Sequence, residues 1–121
     1  MFLATINKPK QFIYFEYIGH VTAADFRHGA ADLDALLGEL TPGFRVLADL
    51  SRVESFDIAC VPEIGKTMEK LERSQVGMIV RVIPDEGKDI GFNIIAAFHY
   101  KKRPHSTTFE TIQEAAKLLG L

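Results

Sequence analysis

Five short runs rich in β-branched and aromatic residues alternate with segments of helical period, and that alternation limits the possible folds more than any other feature of the chain. The runs are FLATI at 2–6, QFIYFEYI at 11–18, FRVLAD at 44–49, MIVRVI at 78–83 and STTF at 106–109. Only Asn7, Lys8, Pro9 and Lys10 part the first two, which predicts a hairpin. Phe12, Tyr14 and Glu16 fall on one face of the second run and Ile13, Phe15 and Tyr17 on the other, so it reads as an interior strand. Each later run follows a helical segment. Strands joined through helices call for right-handed crossovers and parallel pairing, with the hairpin adding an antiparallel edge. The expected fold is α/β, a single mixed and largely parallel sheet of about five strands with about four helices, in the order ββαβαβαβα. One domain spanning 1–121 accounts for the 121 residues and needs no metal or disulfide staple.

The first helix is announced by Thr22-Ala-Ala-Asp25, a capping box with Asp in place of Glu. Phe26, Ala30, Leu33, Leu37 and Leu40 then form one apolar stripe until Thr41-Pro-Gly43 ends it. A second helix is expected from about Ala59 to Ser74, with Val61, Ile64, Met68 and Leu71 on one face. Pro62 falls in its first turn, where the missing N–H costs nothing. A third is expected over 87–100, where Ile90, Ile94, Ala97 and Phe98 share an arc suited to packing on the sheet. Phe92 and Ile95 project away from that arc, beside His99. Burying each of the two is worth about 1.5–3 kcal/mol, so either neighbouring segments cover them or Phe92, Ile95 and His99 form an interface for a homodimer or a partner protein. Ile112, Ala115, Ala116 and Leu119 mark a last helix.

Several chemistries are disfavoured by composition and spacing. A net charge of −2 gives no electrostatic case for nucleic acid. Cys60 is the single cysteine, so no internal disulfide is open to the chain and a reducing, cytoplasmic setting is expected. The first ten residues do not read as a signal peptide, and no apolar run approaches the ~20 residues of a transmembrane span. His20, His28, His99 and His105 make no metal-binding spacing, so no metal is expected. Gly87 to Gly91 lacks the second half of a phosphate loop, and no cofactor is implied. Lys101, Lys102 and Arg103 complement the negative end of the helix before them. Asp25, Asp49 and Asp57 have no partner base in the sequence and make no catalytic set. A reactive Cys60 would need His20 or His99 beside it; the simpler expectation is a small buried hydrophobe. No catalytic residue is assigned.

Three pieces, in order and at matching spacing, resemble a STAS-type domain, the SpoIIAA-like fold of anti-sigma-factor antagonists. YIGHVTAADF is similar to that family's strand, glycine and capped first helix. VLADLSRVESFD resembles its strand ending in Asp-Leu-Ser with a following apolar-acid step, and STTFETIQEAAKLLG its closing strand and helix. The resemblance covers roughly Phe12 to Leu119 and implies a non-enzymatic regulatory or protein-interaction module. Regulatory members carry a phosphorylatable serine just after the second acid, where the start of helix two stabilises a dianion. Asp57 matches the acid and Ala59 falls on the phosphoacceptor; Ile58, Cys60 and Val61 also lack a hydroxyl. The resemblance thus implies a scaffold whose phosphorylation site, at Asp57, Ala59 and Cys60, has been lost. Ser51 and Ser55, upstream, read as turn hydroxyls. The SpoIIAA-like architecture is also similar to the SEC14 fold, so a small-molecule or lipid carrier is the second expectation, with Phe12, Phe15, Phe44, Phe98 and Phe109 lining a cavity.

Overall fold

The computed structural model describes residues 1–83 and 105–120. Its elements are β1 (Phe2–Asn7), β2 (Phe12–Val21), α1 (Ala23–Leu37), β3 (Arg45–Phe56), α2 (Cys60–Arg73), β4 (Met78–Val82), β5 (His105–Phe109) and α3 (Ile112–Leu119). The strands lie in the order β1-β2-β3-β4-β5, with β1 antiparallel to β2 and every other pair parallel. This is the mixed, mostly parallel α/β sheet that the sequence predicts, with three helices among the described residues. The helix expected over 87–100, with Phe92, Ile95, Phe98 and His99, lies outside the described residues, as do Lys101, Lys102 and Arg103.

Local chemistry sets the element boundaries. Thr22 takes extended backbone and its Oγ1 accepts from the Asp25 N–H, while Asp25 Oδ2 accepts from the Thr22 N–H at 2.8 Å. The capping box is therefore formed as expected, and α1 starts at its apolar stripe. The Thr22 backbone N–H, followed by its hydroxyl and the α-amino group of Met1, holds the Asp25 carboxyl below the usual carboxylate range against a partial desolvation penalty.

Two boundaries differ from expectation. β2 runs on to Val21 through Gly19, whose φ of 67° accommodates a register shift, and β3 continues to Phe56 rather than stopping at Asp49. Along the added length Ile18, Gly19, His20 and Val21 pair with Arg52, Val53, Ser55 and Phe56. Ser51 and Glu54 fall at the two register shifts, and the exposed side chains of Ser51, Arg52 and Glu54 make the segment look like a loop in sequence.

The sheet is buried on both faces. Ile13, Phe15 and Tyr17 of β2, Val46, Ala48 and Leu50 of β3 and Ile79 of β4 pack beneath Phe26, Leu33 and Leu37 of α1 and Cys60, Ile64 and Leu71 of α2. On the opposite face Phe12, Leu47, Val80 and Val82 meet Ala115 and Leu119 of α3. Phe15 and Phe44 belong to the first cluster, Phe12 and Phe109 to the second. The sheet stands between them, so these four do not line a common cavity.

Candidate functional site

The carboxyl ends of β2 and β3 meet the start of α2, and the chemistry-bearing residues of the described chain concentrate there. The Asp57 N–H donates to the Val21 carbonyl at 2.8 Å, fastening the end of β3 to β2. Beyond it the chain turns tightly. The Ala59 N–H donates to Asp57 Oδ1 at 3.2 Å, the Cys60 N–H to the Asp57 carbonyl at 2.9 Å and the Val61 N–H to the Ile58 carbonyl at 3.2 Å. Pro62 has no N–H to offer. Every backbone donor from 59 to 62, the set that ordinarily makes a helix start attractive to anions, is thus engaged or missing. Ala59 caps α2 with no side-chain bond, and Ile58 beside it is 72% exposed.

Cys60 faces inward. It is fully buried, its Sγ–H donates to the Val21 carbonyl at 3.2 Å, and burial first, then the Asp57 carboxylate, push its thiol up to about 11. It is the buried hydrophobe expected from sequence. His20 does not approach it, because its Nδ1 lies 2.6 Å from Ser55 Oγ. His99, the other imidazole considered for Cys60, is outside the described residues.

Polar pairs run along the β2–β3 seam on the face that α3 covers only in part. Tyr14 donates its hydroxyl to Asp49 Oδ2 at 2.8 Å, and the Ser51 N–H donates to Asp49 Oδ1 at 2.9 Å. Burial foremost, then the Asp49 carboxylate, raise the Tyr14 phenol above its ordinary range. Arg52 and Glu16 form an ion pair at 3.2 Å, and His20 and Ser55 close the series. Asp25, Asp49 and Asp57 each have a structural partner: the first caps α1, the second binds Tyr14 and the third turns the chain into α2.

On the other face Arg81 is buried and presents its charge neither to open water nor to the α3 side. It lines a cavity of about 20 Å³ together with Phe15, Tyr17, Ile64, Thr67 and Met68. That space suits about one water molecule. Among the described residues no group of three or more His, Cys, Asp or Glu is placed to hold a metal, and no helix is long and apolar enough to cross a membrane.

The His20–Ser55 pair was not legible in the sequence, since it exists only because β3 extends in register with β2. A pointer was present all the same: Gly19 and Phe56 flank it with signals of a bulge and a buried strand end.

The architecture is that of the SpoIIAA-like fold. Three solved structures carry it over nearly their full length. A DUF3478-family protein from Shewanella loihica PV-4 matches at a TM-score of 0.71 and 16% identity, over 98% of this chain and 92% of that one. The anti-sigma factor antagonist SpoIIAA in its unphosphorylated form matches at 0.67 and 14%, over 99% and 98%. The Bacillus cell fate determinant SpoIIAA in its phosphorylated form matches at 0.62 and 14%, over 98% and 99%. At these identities the likeness is one of fold. No family model and no curated protein matches the sequence.

Proposed function

We propose that the chain is a non-enzymatic, STAS-type interaction module, one domain over 1–121, that binds a protein partner or a second copy of itself in the cytoplasm. In this proposal it lacks serine control at the start of α2. The observation that carries it is the state of that helix start: residues 58–61 offer no hydroxyl, and the N–H groups that would steady a phosphate are already used or absent. Cys60, the remaining nucleophile there, is sealed and protonated at neutral pH. That two of the matching folds are SpoIIAA in its unphosphorylated and phosphorylated forms supports a regulatory setting.

The binding surface we assign is Phe92 and Ile95 with His99, on the strength of their position off the sheet-facing arc of the expected helix. The test is sedimentation of the purified chain at high concentration, together with recovery of partners from its own cell extract. Phe92→Glu or Ile95→Glu is expected to keep the melting profile and abolish assembly. A wild-type chain that stays monomeric and recovers no partner overturns the proposal. Native mass spectrometry separates the lipid-carrier alternative, which requires a co-purifying apolar mass. The Arg81 cavity, at about 20 Å³, is far too small for an acyl chain.

A further inference from the structure

We propose that the open edge of β1 receives an extended segment of a partner protein, one that alternates basic and apolar residues. This goes beyond the interaction reading above by naming a surface built from residues other than Phe92, Ile95 and His99, and the chemistry of its occupant. The Met1 amino group donates to the Ile18 carbonyl at 2.8 Å, and the Ile18 N–H donates to the Met1 carbonyl at 2.9 Å. Antiparallel pairing alternates, so Leu3, Thr5 and Asn7 likewise direct their backbone groups to β2. Phe2, Ala4 and Ile6 turn theirs outward, where no described strand pairs with them. Sheet edges of this kind are ordinarily blunted by charge, proline or a bulge. β1 reads FLATIN, with no charge and no proline, and its register with β2 is unbroken. A further strand can add there through main-chain hydrogen bonds.

The two faces of that edge define the occupant. Phe2, Ala4 and Ile6 pack into the cluster under α1, so Leu3 and Thr5 turn to the opposite side. Because β2 and β3 are parallel, α1 between them runs back alongside β1 and in its direction. Two contacts fix the flank of α1 above the edge: Asp25 Oδ2 lies 3.4 Å from the Met1 amino group, and a Cβ on Gly29 would stand 3.3 Å from the Phe2 ring. Asp32 and Leu36 continue that flank at steps of three and four. The helix rises about 10 Å from Asp25 to Asp32, and β1 covers about the same from Met1 to Ala4, which sets Asp32 level with the middle of the edge. Asp32 is exposed, as is Glu39 in the turn past α1, and among the described residues neither forms an ion pair. Lys10 Nζ donates instead to the Gly120 carbonyl at 3.4 Å, and Lys8 lies in the hairpin turn beyond the strand. An incoming side chain on the α1 side therefore meets carboxylate, and one on the other side meets Leu3, which is 46% exposed. Cations suit the first position and apolar residues the second. A second copy of β1 is the poorer occupant, because FLATIN has no cation to offer and a two-fold would bring one Asp32 toward the other.

The test is titration of the purified chain with a heptapeptide alternating lysine and valine, and with its glutamate–valine counterpart, followed by backbone-amide NMR. The lysine–valine peptide is expected to shift the amides of Phe2, Ala4 and Ile6 and to slow their hydrogen exchange. The glutamate–valine peptide is expected to bind at least tenfold more weakly. Ala4→Pro removes an outward N–H and no bond to β2, so it should abolish binding while the rest of the amide spectrum is kept. Asp32→Lys, on the exposed helix surface, should reverse the preference between the two peptides, and it keeps the test decisive if Ala4→Pro does not fold. No shift with either peptide, equal binding of the two, shifts centred away from β1, binding retained in a folded Ala4→Pro chain, or an Asp32→Lys chain that still prefers lysine–valine overturns the proposal. Self-association that excludes the peptide and is lost in Ala4→Pro identifies a second copy as the occupant and also overturns it. Phe92→Glu is expected to leave peptide binding unchanged, so failure at that surface and failure at this edge read separately.

Discussion

Thiol reagents give a sharp quantitative check on the burial of Cys60. Cys60 is fully buried and hydrogen-bonded to the Val21 carbonyl, and its thiol is pushed from 9.0 up to about 11. At about pH 8 the thiolate fraction falls from about one in ten to about one in a thousand, so ionisation alone slows alkylation about 100-fold. The reagent must also wait for the chain to open, which multiplies the protection. Intact-mass sampling during iodoacetamide treatment reads the rate, with the chain in urea as reference. A folded-state rate within tenfold of the urea rate would refute the assignment. The same shift carries a pH signature. Between about pH 9 and about pH 11 the folded thiol keeps a proton that the unfolded chain has lost, so stability declines as pH rises through that window. The full decline is roughly 2–3 kcal/mol, and Cys60→Ala should remove this component of the slope.

Three further outcomes follow from the polar contacts. Ala59→Ser should stabilise by less than about 0.5 kcal/mol in urea unfolding, against the usual ~1 for a serine cap, because the Val61 N–H already serves Ile58 and Pro62 has none; a gain near 1 would reveal a free donor. Tyr14→Phe should cost about 1–3 kcal/mol by leaving Asp49, itself buried, short of a donor, and alkaline ultraviolet titration should lose a phenol that ionises late. Asp25→Asn should cost about 1 kcal/mol at neutral pH. Because the folded Asp25 carboxyl sits below 3.8, its contribution is present above that pH and is lost as pH falls through the folded value, so thermal midpoints of variant and wild type should converge below pH 3.8.

Residues with a periodic or capping signature were legible. Thr22 and Asp25 announce a helix start by themselves, and Ile64 and Leu71 repeat at helical spacing, so α1 and α2 were found close to their observed limits. β3 was not, because a strand half-covered on one face carries Ser51, Arg52 and Glu54 where water reaches it, and only the pairing of Arg52, Val53, Ser55 and Phe56 with β2 marks the segment as strand. The helix start at Asp57 was half legible. The missing hydroxyl could be read from Ala59, but the fate of the N–H groups depends on a turn that only the fold shows. His20 and Ser55, 35 positions apart, owe their contact wholly to register.

Two distinct properties are needed to keep a phosphate at a helix start: an oxygen to carry it and donors to solvate its two charges. Ala59 offers no such oxygen, and a single Ala59→Ser change would supply one. The donors are not so easily supplied. Asp57 already places a carboxylate on the Ala59 N–H, carbonyls occupy the next two donors, Pro62 deletes the fourth, and Glu63 adds another negative charge in the first turn. A dianion there would face the Asp57 and Glu63 carboxylates, and the nearby cations Arg27 and Lys66 are already paired with Glu63 at 3.7 and 3.5 Å, so the electrostatics among the described residues of this corner disfavour phosphate even with a hydroxyl added.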